Sequence, residues 1–336
     1  MDIYSILFLV AGIYLLIKGA DMFVEGASSI AKFFKIPALI IGLTLVSIGT
    51  SLPELSVSVT ASLAGSNGMS FGNVIGSNIF NILIVVGFSA VFTPLVVSKG
   101  MRNFDLPILL GIYAILALLS FVVSPFVLEW WEGLTFVGLF VAYIIFLVIR
   151  SLKEAKKEKE ENNEVEVVEE EKEEKRPMLL NIGYVILGIV LIVVGGDLVV
   201  EGASAIAKEL GKAFSIDETT LDLLIGLTVV AVGTSLPELV TSIVAAKKGE
   251  NDIAIGNAVG SCVFNVLLIL GVASSIFEMP LGANTYIDIA VMFIAALLIF
   301  IFSFKTLKVN KTQGIVMIVL YVAYLAYTVV TSVFIA

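Results

Sequence analysis

Apolar runs of roughly 20 residues recur along the whole chain, and each is long enough to cross a bilayer once as a helix. Hydrophobic residues make up 59% of the 336 residues, and the mean hydropathy is +1.06. An ordinary soluble domain has only ~45–50% apolar residues. The sequence therefore predicts an all-α polytopic membrane protein. We expect ten transmembrane helices, at residues 3–24, 37–63, 71–93, 104–124, 131–149, 178–200, 221–246, 252–276, 284–304 and 313–335.

Composition excludes several kinds of site. The chain has no histidine, which rules out His-ligated zinc, haem with a proximal His and an imidazole proton relay. The single Cys262 cannot form an intramolecular disulfide. The net charge of −9 says little about partners, because much of the acidic excess lies in one segment, and nothing in the sequence suggests a nucleic-acid partner. We expect a membrane transporter, not an enzyme, with no cofactor, and we interpret the first apolar run as a retained helix.

One seven-residue sequence, GTSLPEL, occurs twice, at residues 49–55 and 233–239. Each copy places a glutamate, Glu54 or Glu238, inside an apolar span, where an unpaired charge is costly and a functional site is the default hypothesis. The proline before each glutamate has no N–H, so it bends the helix and frees the carbonyl four residues back. Carboxylates beside freed carbonyls are ligands for cations.

The duplication extends to both sides of this motif. Residues 19–32 recur in similar form as 195–208, and their acidic residues lie at predicted span ends, where interfacial charge is ordinary. Residues 72–81 recur as 256–265. Each half therefore carries five spans, and an odd number makes the second half cross the membrane in the opposite direction. We expect two inverted five-helix repeats, at residues 1–150 and 178–336, with a shared site near the midplane.

The third span of each half carries a stripe of polar residues. The stripe has a polar side chain at every fourth position, so its members share one helix face. Glycines four residues apart in the same segments let another helix approach closely. The stripe residues are Asn73, Ser77 and Asn81 in the first half and Asn257, Ser261 and Asn265 in the second.

Charged residues predict the orientation. The segment 151–177 is rich in Lys and Glu and too polar to enter lipid, so we interpret it as a linker. Basic residues collect in the odd-numbered loops, so the positive-inside rule places both termini outside and the linker in the cytoplasm, in a cell (plasma) membrane protein. The main basic loop residues are Lys32, Lys35, Lys99, Arg102, Lys247, Lys248, Lys305, Lys308 and Lys311.

Hydroxyl groups line the helix face that holds each glutamate. No Lys or Arg lies within the central spans to neutralise the two acids. An all-oxygen environment suits Ca²⁺ or Na⁺ and disfavours transition metals. The serines could instead bond to their own helix, and this alternative stays open for Ser47, Ser58 and Ser242. The two faces are Ser47, Thr50, Ser51, Glu54, Ser58 and Ala231, Thr234, Ser235, Glu238, Ser242.

At these residues the chain resembles the cation/calcium exchanger superfamily, and in particular prokaryotic sodium/calcium exchangers. The GTSLPEL copies match its two α-repeats, and the GNxxGSNxxN pattern of residues 72–81 matches their second parts. The resemblance implies that Glu54 and Glu238 bind Ca²⁺, supported by the Thr50 and Thr234 carbonyls. It also implies flanking sodium ligands, which are Ser51, Ser77, Ser235 and Ser261 with the carbonyls of Ser47 and Ala231. Asn81 and Asn265 would hold the middle of the site.

The resemblance implies exchange of Na⁺ for Ca²⁺ through one central alternating-access site, with the first and sixth spans sliding as a gate. The chain departs from the pattern at two places: both Asn81 and Asn265 are asparagines, where some members have one aspartate, and Cys262 replaces an asparagine. Proton coupling and potassium-dependent exchange remain alternatives within transport. A passive cation channel and a non-transporting sensor are alternatives of other classes. We expect the bilayer and the ions as partners and a monomer that is sufficient for transport, while the sequence leaves the oligomeric state open.

If the linker is only a tether, deleting residues 160–174 leaves basal exchange largely unchanged. Ion-gradient-driven ⁴⁵Ca²⁺ uptake into vesicles measures this, with the full chain as the control. An inactive but correctly inserted deletion variant would show that the segment has a structural role.

Overall fold

The structure is a computed structural model that describes residues 3–65, 67–162, 177–213, 231–282 and 285–334. Nearly all of these residues are helical, as the apolar runs predicted. The helices are α1 Ile3–Phe34, α2 Ala38–Thr50, α3 Leu52–Leu63, α4 Asn67–Phe92, α5 Met101–Val123, α6 Trp130–Asn162, α7 Met178–Ala213, α8 Ala231–Thr234, α9 Leu236–Lys247, α10 Asn251–Ile276, α11 Thr285–Thr306 and α12 Lys311–Phe334.

Eight of the described helices are long and apolar enough to cross a membrane alone, and α2 with α3 forms a ninth, bent span. The predicted span 221–246 is described only in its second part, which forms α8 and α9. Residues 221–230 lie outside the described residues. Three helices continue beyond the predicted spans, which are α1 to Phe34, α6 to Asn162 and α7 to Ala213. The acidic residues predicted at the ends of the first and sixth spans therefore lie within helices.

Helices α1 and α7 carry equivalent sequences and run antiparallel. Gly12 of α1 faces Gly195 of α7, and Gly19 faces Gly188 one heptad further on. A Cβ placed on Gly19 would lie 2.8 Å from the Gly188 carbonyl oxygen, so the two backbones are in direct contact. Because α1 and α7 are counterparts in the duplication, their opposite direction confirms the predicted inverted repeat.

Two small strand pairs, which the sequence analysis did not predict, join the halves. Strand β1 (Leu95–Val96) pairs with β4 (Lys308–Val309), and β2 (Val127–Leu128) pairs with β3 (Met279–Pro280), both antiparallel. In the duplication, β1 corresponds to β3 and β2 corresponds to β4, so the two pairs are equivalent under the repeat symmetry. Each pair therefore links a loop of one repeat to a loop of its partner, which fixes the repeats relative to each other.

The third span of each repeat lies at the centre of the molecule. In their most apolar segments, 83% of α4 residues and 94% of α10 residues are buried, against 11–39% in the other single-helix spans. Helix α10 packs closely on α2, where a Cβ on Gly260 would lie 2.7 Å from the Leu43 Cα. The glycines of the duplicated segment thus serve close packing, as predicted for this half.

Two further carboxylates inside the helices have partners of their own. Asp105 of α5 forms a buried ion pair with Arg150 of α6, with both oxygens 2.9 Å from Nη1. Asp288 of α11 accepts a hydrogen bond of 2.8 Å from the Tyr324 hydroxyl of α12. Charged groups at membrane depth are tolerated when paired in this way. These acids therefore stabilise neighbouring helices outside the central pair of glutamates.

The contact between α1 and α7 predicts a stability effect. In Gly19→Val, the added atoms meet the backbone of α7, which cannot move aside as a flexible side chain would. We expect a loss of about 1–3 kcal/mol, the usual cost of overpacking. Thermal unfolding in detergent measures it. Gly111→Val in α5 is the matched control, because no described atom lies within 4 Å of the place where its Cβ would stand. Equal effects of both substitutions would contradict the close contact.

Candidate ion-binding site

Each GTSLPEL copy forms a broken helix. Helix α2 ends at Thr50, Ser51 leaves the helical conformation with φ −87° and ψ 11°, and α3 begins at Leu52 with a bend of 50°. Ser235 has nearly the same angles, φ −95° and ψ 6°, between α8 and α9. Pro53 lies in the first turn of α3 and has no N–H to continue the backbone hydrogen bonds of α2. The missing hydrogen bond causes the break. Each glutamate therefore leaves from the first turn of a new helix.

The two halves exchange hydrogen bonds through these breaks. The Ser51 hydroxyl donates to Glu238 Oε1 at 2.8 Å, and the Ser235 hydroxyl donates to Glu54 Oε1 at 3.0 Å. Ser235 Oγ also lies 3.1 Å from Ser77 Oγ of α4. All five residues are buried. Since each serine is three residues before its own glutamate, the reciprocal bonds require both carboxylates to border one small space.

Several polar atoms of this region have no hydrogen-bond partner among the described residues. They include Oε2 of Glu54 and of Glu238, both fully buried, and the side-chain amides of Asn81 and Asn265. Each asparagine begins a π-helical turn in the middle of α4 or α10, and these turns pack against the opposite central helix. Buried polar groups without partners are costly, so these unpartnered oxygens indicate a site for a ligand.

The remaining predicted residues differ in what they contact. Thr50 is buried at the end of α2, and its hydroxyl lies 3.0 Å from Asn257 Oδ1. The Ser47 hydroxyl bonds to the Leu43 and Thr44 carbonyls of its own helix, the alternative left open by the sequence. The Ser47 carbonyl lies 3.5 Å from the Ser261 hydroxyl of α10. At this position the backbone carbonyl of α2, and not the serine hydroxyl, therefore contacts the central helix.

The second copy is less completely described at its start. Thr234 is half-buried at the end of α8, and Ala231 is the first residue of that helix.

Ser58 and Ser242, for which own-helix bonding was considered, bond instead to the neighbouring central helix. Each accepts a hydrogen bond of 2.9 Å from an asparagine amide, Asn73 or Asn257. Both asparagines belong to the polar stripe, whose spacing in the sequence does not distinguish a separate role for them.

The site combines two carboxylates with neutral oxygen donors. The sequence has no Lys or Arg between Lys35 and Lys99 or between Lys248 and Lys305, so α2, α3, α4 and α10 carry no counter-charge for the glutamates. Hydroxyls, amides and carboxylates are the ligands of hard cations such as Ca²⁺ and Na⁺. The arrangement can therefore hold one divalent cation or an equivalent charge of monovalent cations.

Comparison with known proteins identifies the family. The family model described as sodium/calcium exchanger protein matches residues 4–149 and 180–330, which is most of the chain. The chain belongs to the sodium/calcium exchanger family. Its members are membrane transporters that exchange calcium for another cation, and this protein is an integral membrane cation/calcium exchanger.

Two relatives and one solved structure illustrate the similarity. The sodium/calcium exchanger MaX1 of Methanosarcina acetivorans is 36% identical over 349 residues, covering 93% of this chain and 95% of the relative. The inner membrane protein YrbG of Escherichia coli is 34% identical over 293 residues, covering 86% of both. The structure of the sodium-calcium exchanger NCX_Mj soaked with zero Na⁺ and Ca²⁺ has a TM-score of 0.80 and 31% identity, covering 98% of this chain and 100% of that one. This likeness confirms the predicted fold of ten transmembrane helices in two inverted repeats.

The geometry predicts that both glutamates are needed. Glu54→Gln and Glu238→Gln each keep the side-chain shape but remove one of the two negative charges that oppose a divalent ion. We expect each variant to fold and to lose calcium transport. The measurement is ⁴⁵Ca²⁺ flux in vesicles, with gel filtration and thermal unfolding as the test of folding. Asp288→Asn is the matched control, because that acid bonds to Tyr324 away from the site. Wild-type-like flux in either glutamine variant would remove the site assignment.

Proposed function

We propose that this protein is an antiporter that exchanges Na⁺ for Ca²⁺ through one central site, and that the sodium gradient drives calcium out of the cytoplasm. The observation that carries the proposal is the reciprocal bonding of Ser51 to Glu238 and of Ser235 to Glu54. It brings two buried carboxylates to one space between the halves. The relatives named sodium/calcium exchangers support the choice of ions.

Charge balance suits mutually exclusive occupancy. Glu54 and Glu238 together carry −2, which one Ca²⁺ cancels. In the proposal their carboxylates hold Ca²⁺ with the Thr50 and Thr234 carbonyls, and Asn81 and Asn265 complete the middle of the site. Sodium ions take flanking positions that use the same carboxylates. The proposed sodium ligands are Ser51, Ser77, Ser235, Ser261 and the carbonyls of Ser47 and Ala231.

Alternating access requires a moving part, for which we propose α1 and α7. These helices contact each other through glycines along their length, and the most apolar segment of each is only 28% buried, so most of that segment has no protein neighbour to oppose a shift. In the proposal they slide together past the remaining eight spans and open the site to one side at a time.

The proposed cell topology follows from the basic loops. Residues 1–150 and 178–336 form the repeats, and residues 151–177 form a cytoplasmic linker. Both termini lie outside the cell membrane, as the positive-inside rule requires. A monomer is sufficient in this proposal, because both carboxylates of the site come from one chain.

Proton coupling is the second candidate. Oε2 of Glu54 and Oε2 of Glu238 are buried and accept no hydrogen bond from the described residues, so a proton on each would also cancel the charge. Potassium dependence is a further variant. A passive channel is less compatible with the structure, because inverted repeats with broken helices at the midplane are a feature of transporters.

Separate ion gradients test these alternatives. We expect vesicles with reconstituted protein to take up ⁴⁵Ca²⁺ when an outward Na⁺ gradient is imposed, and to stop when Na⁺ is equal on both sides. Outward proton or potassium gradients alone should not support uptake, and Na⁺-driven uptake should not require K⁺ on the calcium side. Vesicles carrying the Glu54→Gln variant measure the background. Uptake driven by pH alone would favour the proton variant, and uptake independent of every gradient would favour a channel.

A further inference from the structure

An asparagine in each half binds the backbone of that half's glutamate. Asn73 Nδ2 lies 3.3 Å from the Glu54 carbonyl oxygen and 2.9 Å from Ser58 Oγ. In the second half, Asn257 Nδ2 lies 3.2 Å from the Glu238 carbonyl oxygen and 2.9 Å from Ser242 Oγ. Both N–H bonds of each amide are used in the same way. The pattern is therefore built into both repeats.

These bonds hold the helix turn that carries each carboxylate. Glu54 and Glu238 lie in the first turn of α3 and α9, directly after the break. Proline interrupts the backbone hydrogen bonds of the helix there, so this turn is the part of the helix that is easiest to rotate. An amide that binds the glutamate carbonyl and a hydroxyl one turn later fixes the turn to α4 or α10. The direction of the glutamate side chain is fixed with it.

Asn257 makes one further contact, which crosses between the halves. Its Oδ1 accepts a hydrogen bond of 3.0 Å from the hydroxyl of Thr50, the last residue of α2. The same side chain thus bonds to the turn after one break and to the residue before the other. Asn257 is fully buried, and a buried, fully bonded amide specifies one arrangement of the groups around it. Since it joins both broken helices, it fixes how far apart they lie.

We propose that Asn257, with Asn73 as its counterpart, is a positioning residue that sets the spacing of Glu54 and Glu238 and thereby the preference for a divalent over a monovalent ion. The inference rests on the proposed function. Calcium takes oxygen ligands at ~2.3–2.6 Å and, in the proposed site, needs both carboxylates at once. A sodium ion at a flanking position uses one of these carboxylates with neutral oxygens, so it does not need both carboxylates at once. A wider or rotated pair of turns therefore weakens calcium binding more than sodium binding.

Ligand-dependent thermal unfolding of the purified full chain tests this without requiring transport. CaCl₂ and NaCl are titrated separately against wild type, Asn73→Ala and Asn257→Ala, and an apparent affinity for each ion is taken from the rise in Tm. We expect Asn257→Ala to lower the calcium affinity about tenfold more than the sodium affinity, a difference of about 1.4 kcal/mol. Asn73→Ala should act in the same direction but more weakly, because the hydrogen bonds of Asn73 described above stay within its own half.

Two further variants separate positioning from general stability. Asn78→Cys is the matched control, because Asn78 is a buried asparagine of the same helix as Asn73 and the other half has Cys262 at the equivalent position. It should leave the ratio of the two affinities unchanged. Should Asn257→Ala fail to fold, Thr50→Val removes the hydroxyl that bonds to Asn257 Oδ1, together with its contacts to the Val46 and Ser47 carbonyls and to Glu238, and keeps the Thr50 carbonyl. It should lower the calcium affinity selectively.

Equal losses of calcium and sodium affinity, or a lower Tm with an unchanged ratio, would overturn the inference and leave Asn257 a structural residue. A wild-type chain that neither ion stabilises would instead contradict the proposed function. The two failures are therefore distinguishable in one experiment.

Discussion

Two serine hydroxyls that cross between the repeats hold the centre of this protein together. Ser51 bonds to Glu238 and Ser235 bonds to Glu54, so each broken helix satisfies the acid of the other. Two buried carboxylates facing one space repel each other, and no basic residue of the central helices compensates. Neutral donors can orient the acids but cannot cancel their charge. The arrangement is therefore stable only with cations or protons in the space, and the surrounding helices are organised to provide that space.

The sequence predicted the topology and the acids for a definite reason. A duplicated segment in a half with five spans permits only an inverted repeat, and Glu54 in an apolar span has few explanations other than a site. The π-helical turns at Asn81 and Asn265 could not be predicted, because they depend on how α4 and α10 pack and not on local preference. The role of Asn257 was missed for a similar reason. Its partners are separated from it in sequence, and a polar stripe does not show which of its members face backbone and which face the site.

The repeats are most alike at the site and diverge toward their ends. Asp105 has the charged Arg150 of α6 as its partner, whereas Asp288 of the second repeat bonds to the neutral hydroxyl of Tyr324. Lys248, after α9, forms an ion pair with Asp21 of α1, and in the register of the GTSLPEL copies the first repeat has an alanine at that position. Symmetry is kept where two equivalent half-sites must meet. It is relaxed where each membrane face has its own environment.

Obligatory coupling follows from the same electrostatics. If the protein closed the site to both sides while the two carboxylates were uncompensated, the buried charges would have no partner, which costs several kcal/mol per ion. In the proposed cycle the site therefore crosses between its two open states only when cations or protons fill it, and an ion can leave only if others replace it. In this proposal, charge balance accounts for exchange. The choice of ion then depends on the distances between oxygens, which the carbonyl bonds of Asn73 and Asn257 hold fixed while the carboxylates remain free to bind.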